Sequence, residues 1–265
     1  MIFNARMYSV APPAKTAWRE LLGWVLEQSG VHMEFVDQEP PATLAQLWAR
    51  EDLGCATMCG LPYSHRKPRP ILLASPVPSP ARYANRPVYF SDLAVRADSP
   101  FTKLEDTFGH TVGYTLTDSM SGCVAVRRHL LPFRKGEHAL YAKVVGELVN
   151  ARGIIQALAD GRIDVGPLDS YVHDLIRQND PQFAAQVRVI AVTDAAPMPP
   201  LIATSALDPD TVGRLRAAFS AVGEAPELSG ARATLLLHRF AFPEPSSYDV
   251  FHGILERAEL HAGTW

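Results

Sequence analysis

Strand-like and helix-like apolar patterns alternate along the N-terminal part of the chain, and this alternation limits the fold more than any other feature. Residues 5–10 form a mixed apolar run that ends at two prolines, which predicts a strand and a turn. Residues 31–36 and 53–58 are the next strand-like runs, and a short helix is predicted from Thr43. The first helix ends at Ser29-Gly30, and its apolar residues follow helical spacing: Ala17, Trp18, Leu21, Leu22, Val25 and Leu26. The order strand, helix, strand, helix, strand predicts an α/β fold.

The rest of the chain is divided into many short elements, because its 22 prolines stop helices and strands. Strands are predicted at residues 88–96, 111–115, 163–166, 187–192 and 201–204. Helices are predicted after a capping box at residues 102–105, at 121–131, after Asn150, at 170–178, after Asp208 and at 248–260.

Two segments, near residues 86–91 and 191–197, bracket a region with its own strand and helix alternation. We therefore expect two α/β lobes joined by two crossing strands, with a ligand cleft between them. Residues 1–87 and 197–265 are assigned to lobe 1, and residues 88–196 to lobe 2.

Charge and hydropathy exclude several classes of partner. The chain has 25 Lys and Arg against 28 Asp and Glu, a formal charge of −3, with no basic run to attract nucleic acid or an anionic membrane surface. No apolar stretch approaches the length of a membrane span, so no membrane insertion is expected. The first residues lack the basic and apolar regions of a secretory signal, which predicts a cytoplasmic chain if Met1 is the native start.

Motifs for metal, cofactor and nucleophile chemistry are weak. Cys55 and Cys59 have no second cysteine or histidine pair at a fitting distance, so we expect buried thiols and no metal site. No phosphate-binding loop, dinucleotide motif or serine nucleophile motif occurs, and no cofactor is expected. A Cys59 nucleophile paired with a distant histidine stays open as an alternative.

A serine-rich segment, residues 115–123, follows a predicted strand and opens a predicted helix. Free N–H groups and the dipole at such a helix start attract anions, and the hydroxyls of Ser119 and Ser121 add donors. The segment suits a phosphate-like or carboxylate group. An ordinary serine N-cap is the other interpretation.

Four motifs, in order and spacing, carry a resemblance to a known family. They are Cys59-Gly60-Leu61-Pro62-Tyr63, the run from Tyr89 to Arg96, Ser119-Met120-Ser121-Gly122, and residues 159–166 followed by Asp169. From about residue 8 to about residue 207 the chain resembles the phosphate- and phosphonate-binding components of ABC transporters, which have a type 2 periplasmic-binding-protein fold.

The resemblance implies a ligand site and a periplasmic location. It places Ser119, Met120 and Ser121 at the oxyanion, and it places Tyr8, Tyr63 and Asp169 around the rest of the cleft. Further ligand-binding candidates are Gly122 in the serine motif, Cys59 and Gly60 in the motif of Tyr63, and Tyr89 at a predicted crossing between the lobes. From the residues alone, the tyrosines are packing or strand aromatics and Asp169 is the N-cap of the helix that begins at Ser170.

Two residues depart from the family pattern. Met120 stands where the family usually has a hydroxyl, and Asp118 adds a negative charge that repels an anion. A different oxyanion, a zwitterion or a neutral ligand therefore stays open.

The function predicted first is that of a non-enzymatic solute-binding protein. Its lobes close by a hinge on a small oxyanion-bearing ligand, phosphonate- or phosphate-like, with an ABC transporter membrane component as the implied partner. The alternatives are an enzyme on the same scaffold, using Cys59 or a cleft acid, and a cytoplasmic ligand sensor.

Overall fold

The computed structural model describes residues 1–38, 42–134, 138–259 and 265. The chain divides into two compact units. Unit 1 contains Met1–Val88 and Pro197–Tyr248, and unit 2 contains Tyr89–Ala196 and Asp249–Trp265. The chain therefore passes from one unit to the other three times, not the two times predicted.

The described residues form short strands and mostly short helices. The strands are β1 (Ile2–Asn4), β2 (Glu34–Phe35), β3 (Leu53–Thr57), β4 (Ile71–Pro78), β5 (Val88–Tyr89), β6 (Ser91–Arg96), β7 (Thr111–Gly113), β8 (Lys143–Val145), β9 (Gly166–Asp169), β10 (Val187–Val192), β11 (Ala196–Pro197), β12 (Leu201–Ala203) and β13 (Leu237–Ala241). The α-helices are α1 (Pro12–Ser29), α2 (Leu44–Trp48), α3 (Gly60–His65), α4 (Ala125–Leu130), α5 (Ala151–Ala159), α6 (Ser170–Asn179), α7 (Pro181–Ala184), α8 (Pro209–Ala221), α9 (Ser229–Thr234) and α10 (Val250–Glu259). A π-helix at Met120–Val124 leads directly into α4.

Unit 1 is built on one mixed sheet in the order β13-β4-β12-β3-β1-β2. β1 is parallel to β2 and β3, whereas β12 is antiparallel to β3 and β4. All residues of β3 are buried, and α1 packs against α8 and α9. α1 begins with Pro12 and ends at Gly30, whose φ of 61° is the left-handed conformation that favours glycine.

Unit 2 contains an antiparallel sheet in the order β10-β6-β9 and a parallel pair, β7 and β8. β6 is central, and its residues Leu93, Ala94 and Val95 are buried. Side chains cap the helices α5 and α6. Asn150 accepts from the Gly153 amide at the start of α5, and Asp169 caps α6.

Several predicted elements are confirmed, and others are corrected. The helices α1, α2, α5, α6 and α8 and the strand β10 lie where they were predicted. The first strand is Ile2–Asn4, and a 3-10 helix at Arg6–Tyr8 follows it, because the Asn4 side chain accepts from the Arg6 amide and turns the chain. The predicted strand 163–166 is β9, which begins only at Gly166. The run 88–96 is interrupted at Phe90.

The structure corrects the predicted lobe division for residues 249–265, which belong to unit 2 and not to the first lobe. α10 packs against α4 and the π-helix, with Phe251 and Ile254 buried. The Trp265 ring stacks on Tyr114 with centroids 5.3 Å apart, and the Trp265 carbonyl oxygen accepts from the Leu140 amide at 2.6 Å. The burial of apolar side chains therefore places these residues in unit 2, although they directly follow a segment of unit 1 in the sequence.

Among the helices of the described residues, none has both the length and the apolar content that crossing a bilayer requires.

Candidate functional site

The serine-rich turn of unit 2 leads into the π-helix, and two of its amides have no partner among the described residues. Ser119 is the N-cap: its Oγ accepts from the Gly122 amide at 3.1 Å, and its carbonyl oxygen accepts from both Cys123 and Val124 at 3.1 Å. Within the described part of the chain, the amides of Met120 and Ser121 donate no hydrogen bond. Two free N–H groups at the positive end of a helix can bind an anion.

Close packing behind the turn fixes its shape. The Thr115 amide donates to the Gly122 carbonyl oxygen at 3.1 Å. A Cβ at position 122 would lie 1.7 Å from Thr115 Oγ1, so only glycine fits there. Thr115 is buried, and its Oγ1 has no hydrogen-bond partner among the described residues. The contact between Thr115 and Gly122 therefore fixes the shape of the turn.

Ser121 connects the turn to β6 and to Asp169. The Ser91 hydroxyl donates to the Ser121 carbonyl oxygen at 2.7 Å. The Ser121 hydroxyl donates to Asp169 Oδ2 at 3.3 Å. Asp169 also caps α6, because its Oδ1 accepts from the amides of Tyr171 and Val172, each at 3.0 Å. The predicted N-cap role of Asp169 is confirmed, and the same carboxylate reaches the serine turn.

Burial dominates the protonation of Asp169. Desolvation raises the pKa of its carboxyl from 3.8 to about 7, although the hydrogen bonds from Val172, Tyr171 and Ser121 oppose the rise. The nearby Asp92 carboxylate raises the pKa further. Near neutral pH the protonated and the ionised forms of this carboxyl are therefore both populated.

Three other predicted residues of unit 2 differ in exposure. The Tyr89 side chain is buried, at 1% exposure, and so is that of Met120, at 2%. Asp118 is exposed. Met120 thus contributes its amide to the turn while its thioether packs in the interior.

Two of the predicted residues of unit 1, Tyr8 and Tyr63, contact residues that the sequence did not single out, Met198 and Tyr248. The Tyr8 hydroxyl lies 3.9 Å from the Met198 sulfur, and the Tyr248 hydroxyl donates to the Met198 carbonyl oxygen at 2.7 Å. The rings of Tyr63 and Tyr248 meet edge to face at 5.0 Å. These tyrosines are buried, as the packing interpretation expects.

Cys59 and Gly60 begin α3. The Cys59 carbonyl oxygen accepts from the Tyr63 amide at 3.0 Å, which closes the first turn. Cys59 is half-buried and Gly60 is buried. Cys55 is buried, and desolvation raises its pKa to about 12, so this thiol stays protonated near neutral pH. The described residues hold no group of three or more His, Cys, Asp or Glu side chains placed to bind a metal ion.

Sequence reasoning missed a buried contact between a histidine and an aspartate beside the site. His173 Nδ1 lies 2.8 Å from Asp92 Oδ2, and both side chains are fully buried. Ser91 was also missed, although its neighbour Asp92 offers a signal: polar residues that interrupt an otherwise apolar strand need partners inside the protein.

A comparison with models of protein families matches residues 8–248 to the family described as "ABC transporter, phosphonate, periplasmic substrate-binding protein". A comparison with curated proteins found no match. The family match contains the whole segment on which the resemblance was based and extends beyond it.

Solved structures show the fold. The chain is similar to the binding protein component of an ABC phosphonate transporter from Pseudomonas aeruginosa, with a TM-score of 0.82, 17% identity, and coverage of 99% of this chain and 87% of that chain. It is similar to PhnD1 from Prochlorococcus marinus in complex with methylphosphonate, with a TM-score of 0.78, 13% identity, and coverage of 97% and 98%. The arginine-, lysine-, histidine-binding protein ArtJ from Geobacillus stearothermophilus has a TM-score of 0.53 at 15% identity, with coverage of 87% and 92%.

These neighbours confirm the predicted fold class, α/β with the periplasmic-binding-protein fold. At these sequence identities the solved structures show only the fold. The family assignment depends on the match to the family model. Because that model matches most of its residues, the chain belongs to the family of phosphonate substrate-binding proteins of ABC transporters.

Proposed function

We propose that the chain captures a small oxyanion-bearing ligand, phosphonate- or phosphate-like, at residues 119–122 and presents it unchanged to an ABC transporter membrane component. One observation carries this proposal: the amides of Met120 and Ser121, which have no hydrogen-bond partner in the described part of the chain, lie beside the hydroxyls of Ser119 and Ser121 at a helix start. Phosphoryl oxygens accept several hydrogen bonds at once, so such a group of donors suits them.

Proteins of similar structure support an oxyanion as the ligand, and they also show that ligands differ among proteins with this fold. The solved structure of PhnD1 is a complex with methylphosphonate, while ArtJ is an arginine-, lysine-, histidine-binding protein. The fold therefore accepts ligands of either charge, and the donors of the site decide between them. In this chain those donors are amides and hydroxyls, which favours an anion.

Asp169 gives the proposed site a pH dependence. An oxyanion next to Ser121 favours the neutral, protonated form of Asp169, because an ionised carboxylate repels it. With the pKa of Asp169 at about 7, affinity for a ligand that does not itself titrate falls as the pH rises through neutrality. Methanesulfonate is such a ligand.

The test is titration calorimetry with methylphosphonate, inorganic phosphate and methanesulfonate. Ser121→Ala removes a hydroxyl of the turn, and we expect a loss of about tenfold or more in affinity, since a hydrogen bond to a charged group is worth about 1.5–3 kcal/mol. Ser220→Ala is the matched control, because Ser220 is exposed on α8 and its hydroxyl donates to the Ala217 carbonyl oxygen.

Phosphorus NMR of the bound and released ligand tests whether it is returned unchanged. Conversion of the ligand would favour the enzyme alternative. Absence of binding for every oxyanion, with the wild-type chain folded, contradicts the proposal.

A further inference from the structure

The start of β6 carries two polar side chains that are completely buried. Ser91 and Asp92 are both 0% exposed, and β6 is the central strand of the unit 2 sheet. The Ser91 hydroxyl donates to the Ser121 carbonyl oxygen at 2.7 Å, and Asp92 Oδ2 lies 2.8 Å from His173 Nδ1. Two consecutive residues of one strand therefore contact two different elements, the serine turn and α6.

Asp169 connects the same two elements to each other. Its Oδ1 accepts from the amides of Tyr171 and Val172 at the start of α6, and its Oδ2 accepts from the Ser121 hydroxyl. His173 is the next residue of α6. The hydrogen bonds therefore form a closed set within unit 2, which we call the β6 network. Its members are Ser91, Asp92, Ser121, Asp169 and His173.

Stability alone is a weak reason for the pair of Asp92 and His173. Both side chains are 0% exposed, so both have lost their hydration, and replacing such a buried pair by apolar residues is often neutral or stabilising. Among the described residues, His173 Nε2 has no hydrogen-bond partner, which adds to the cost. A hydrogen bond does fix a distance and an angle, which apolar packing does not.

The geometry that needs fixing is the contact between Ser121 and Asp169. At 3.3 Å it is longer than the two hydrogen bonds made by β6, so a small shift of α6 would break it. Phe90 and Ser170 hold the residue at the start of α6, because the Ser170 amide donates to the Phe90 carbonyl oxygen at 2.9 Å. His173 adds a second point of attachment, within the first turn of the helix.

We propose that Asp92 and His173 are positioning residues of the oxyanion site. They hold the first turn of α6 against β6, so that the Asp169 carboxyl keeps the Ser121 side chain in one orientation. When Asp169 is protonated, its O–H can donate to Ser121 Oγ, which leaves the hydrogen of the serine hydroxyl for the ligand. The benefit to ligand binding rests on the function proposed above, whereas the orientation of Ser121 can be tested without any ligand.

The first experiment is crystallography of the ligand-free chain, grown without phosphate or sulfate. The wild type is compared with the double variant Asp92→Leu, His173→Leu, which removes both polar groups and leaves neither one buried alone. We expect the hydrogen bond between Ser121 Oγ and Asp169 Oδ2 in the wild type and its loss in the variant. If the double variant does not fold, His173→Phe keeps an aromatic ring and removes the nitrogen. A contact that survives unchanged in the folded variant overturns the proposal.

The second experiment is a double-mutant cycle, read as methylphosphonate affinity by calorimetry. It is carried out at about pH 5, where Asp169, with a pKa of about 7, is protonated whether or not Asp92 is present. We expect the double variant to lose about three- to tenfold in affinity, and no further loss when the same changes are added to Ser121→Ala. Equal losses in both backgrounds would show that the pair does not act through Ser121.

Two further variants separate positioning from general stability. In His173→Asn the side-chain amide can donate to Asp92 from about the position of Nδ1, so affinity should return to nearly the wild-type value. Ile176→Ala removes a fully buried apolar side chain of the same helix, and it should lower the unfolding temperature but leave affinity unchanged. A loss of affinity in Ile176→Ala as large as that of the double variant contradicts the proposal. If the wild type binds no oxyanion, the proposed function fails, and the crystal structures alone decide the positioning.

Discussion

At the scale of single residues, Asp169 uses its two carboxylate oxygens for different tasks. One oxygen accepts from two amides at the start of α6, and the other accepts from the Ser121 hydroxyl. The cap could be predicted from the sequence, because an aspartate directly before a helical pattern is a local signal. The contact with Ser121, far away in the sequence, depends on β9 pairing with β6 and could not be predicted from local patterns.

The half-buried Asp169 carboxyl makes the free energy of unfolding fall as the pH rises. Its folded pKa of about 7 lies above the unfolded value, so between about pH 4 and pH 7 the folded state holds an extra proton. The free energy of unfolding therefore decreases over this window, by at most about 1.4 kcal/mol per pH unit. We expect Asp169→Asn to remove this decrease, measured by urea unfolding at several pH values.

Asp208→Asn is the control for that measurement. Asp208 also caps a helix, and its pKa is lowered by hydrogen bonds from the Thr211 amide and hydroxyl. Its contribution is present above its unfolded pKa and is lost only as the pH falls below about 4. The stability difference from wild type should stay constant between about pH 5 and pH 8 for Asp208→Asn; the same behaviour for Asp169→Asn would refute the burial argument.

Asp118→Asn should strengthen oxyanion binding. Asp118 precedes the serine turn and is exposed, so water and salt weaken the repulsion between its charge and a bound anion. We expect about a two- to threefold gain in affinity at low salt that disappears at high salt, measured by calorimetry with methylphosphonate. Asp210→Asn, at an exposed aspartate of unit 1, should change nothing. Unchanged or weaker binding of every anion by Asp118→Asn contradicts this expectation.

At the scale of elements, the π-helix at Met120–Val124 explains how the turn presents its amides. The wider helical turn lets both Cys123 and Val124 donate to the Ser119 carbonyl oxygen. Sequence periodicity predicted an ordinary helix from Ser121, because five residues are too few to reveal a π-helical spacing. The absence of a side chain at Gly122 permits this arrangement, because a Cβ there would collide with Thr115 Oγ1.

Gly122→Ala should disrupt the turn. The new Cβ would meet Thr115 Oγ1 at 1.7 Å and Ser119 Oγ at 2.8 Å, and both belong to the turn itself. We expect oxyanion affinity to fall by tenfold or more in calorimetry. Gly213→Ala in α8 is the control: its Cβ would meet nothing within 4 Å, so binding should be unchanged and stability should rise by about 0.5–1 kcal/mol. Equal binding by both variants would show that the turn tolerates a side chain.

Helices were predicted better than strands because their ends carry local signals. Asn150, Asp208 and Gly30 mark helix ends by side-chain or backbone chemistry that can be read within a few residues. The sequence analysis did not predict β4, because Pro76 and Pro78 are residues that normally interrupt a strand. Both prolines face β13 in the register, so partners distant in sequence decide that this segment is a strand.

At the scale of the whole molecule, residues 249–265 complete a unit that lies mostly earlier in the chain. The sequence analysis assigned residues to lobes by their order in the chain. It could not detect that α10 packs against α4 and the π-helix, which places α10 in unit 2. The family, in contrast, could be recognised from sequence because its motifs are local and lie in a fixed order.

Phe251→Ala tests this packing. Phe251 is fully buried, and its removal should cost about 3–5 kcal/mol of the free energy of unfolding. Hydrogen exchange should accelerate most in the π-helix and α4. Phe242→Ala removes a ring that is 42% exposed and should have a small effect. Faster exchange confined to α8 and α9 would contradict the assignment of α10 to unit 2.

Three passages between units have a consequence for synthesis on the ribosome. Unit 1 lacks β12, α8 and β13 until late in translation, and unit 2 lacks α10 until the end. Neither unit is complete while the chain is being synthesised. β3 pairs with β12 and β4 pairs with β13, and both partner strands lie more than a hundred residues later in the sequence. Such non-local pairing folds slowly and exposes apolar strands on the way. Until residues 197–241 have been synthesised, the growing chain therefore keeps the partner-facing edges of β3 and β4 exposed.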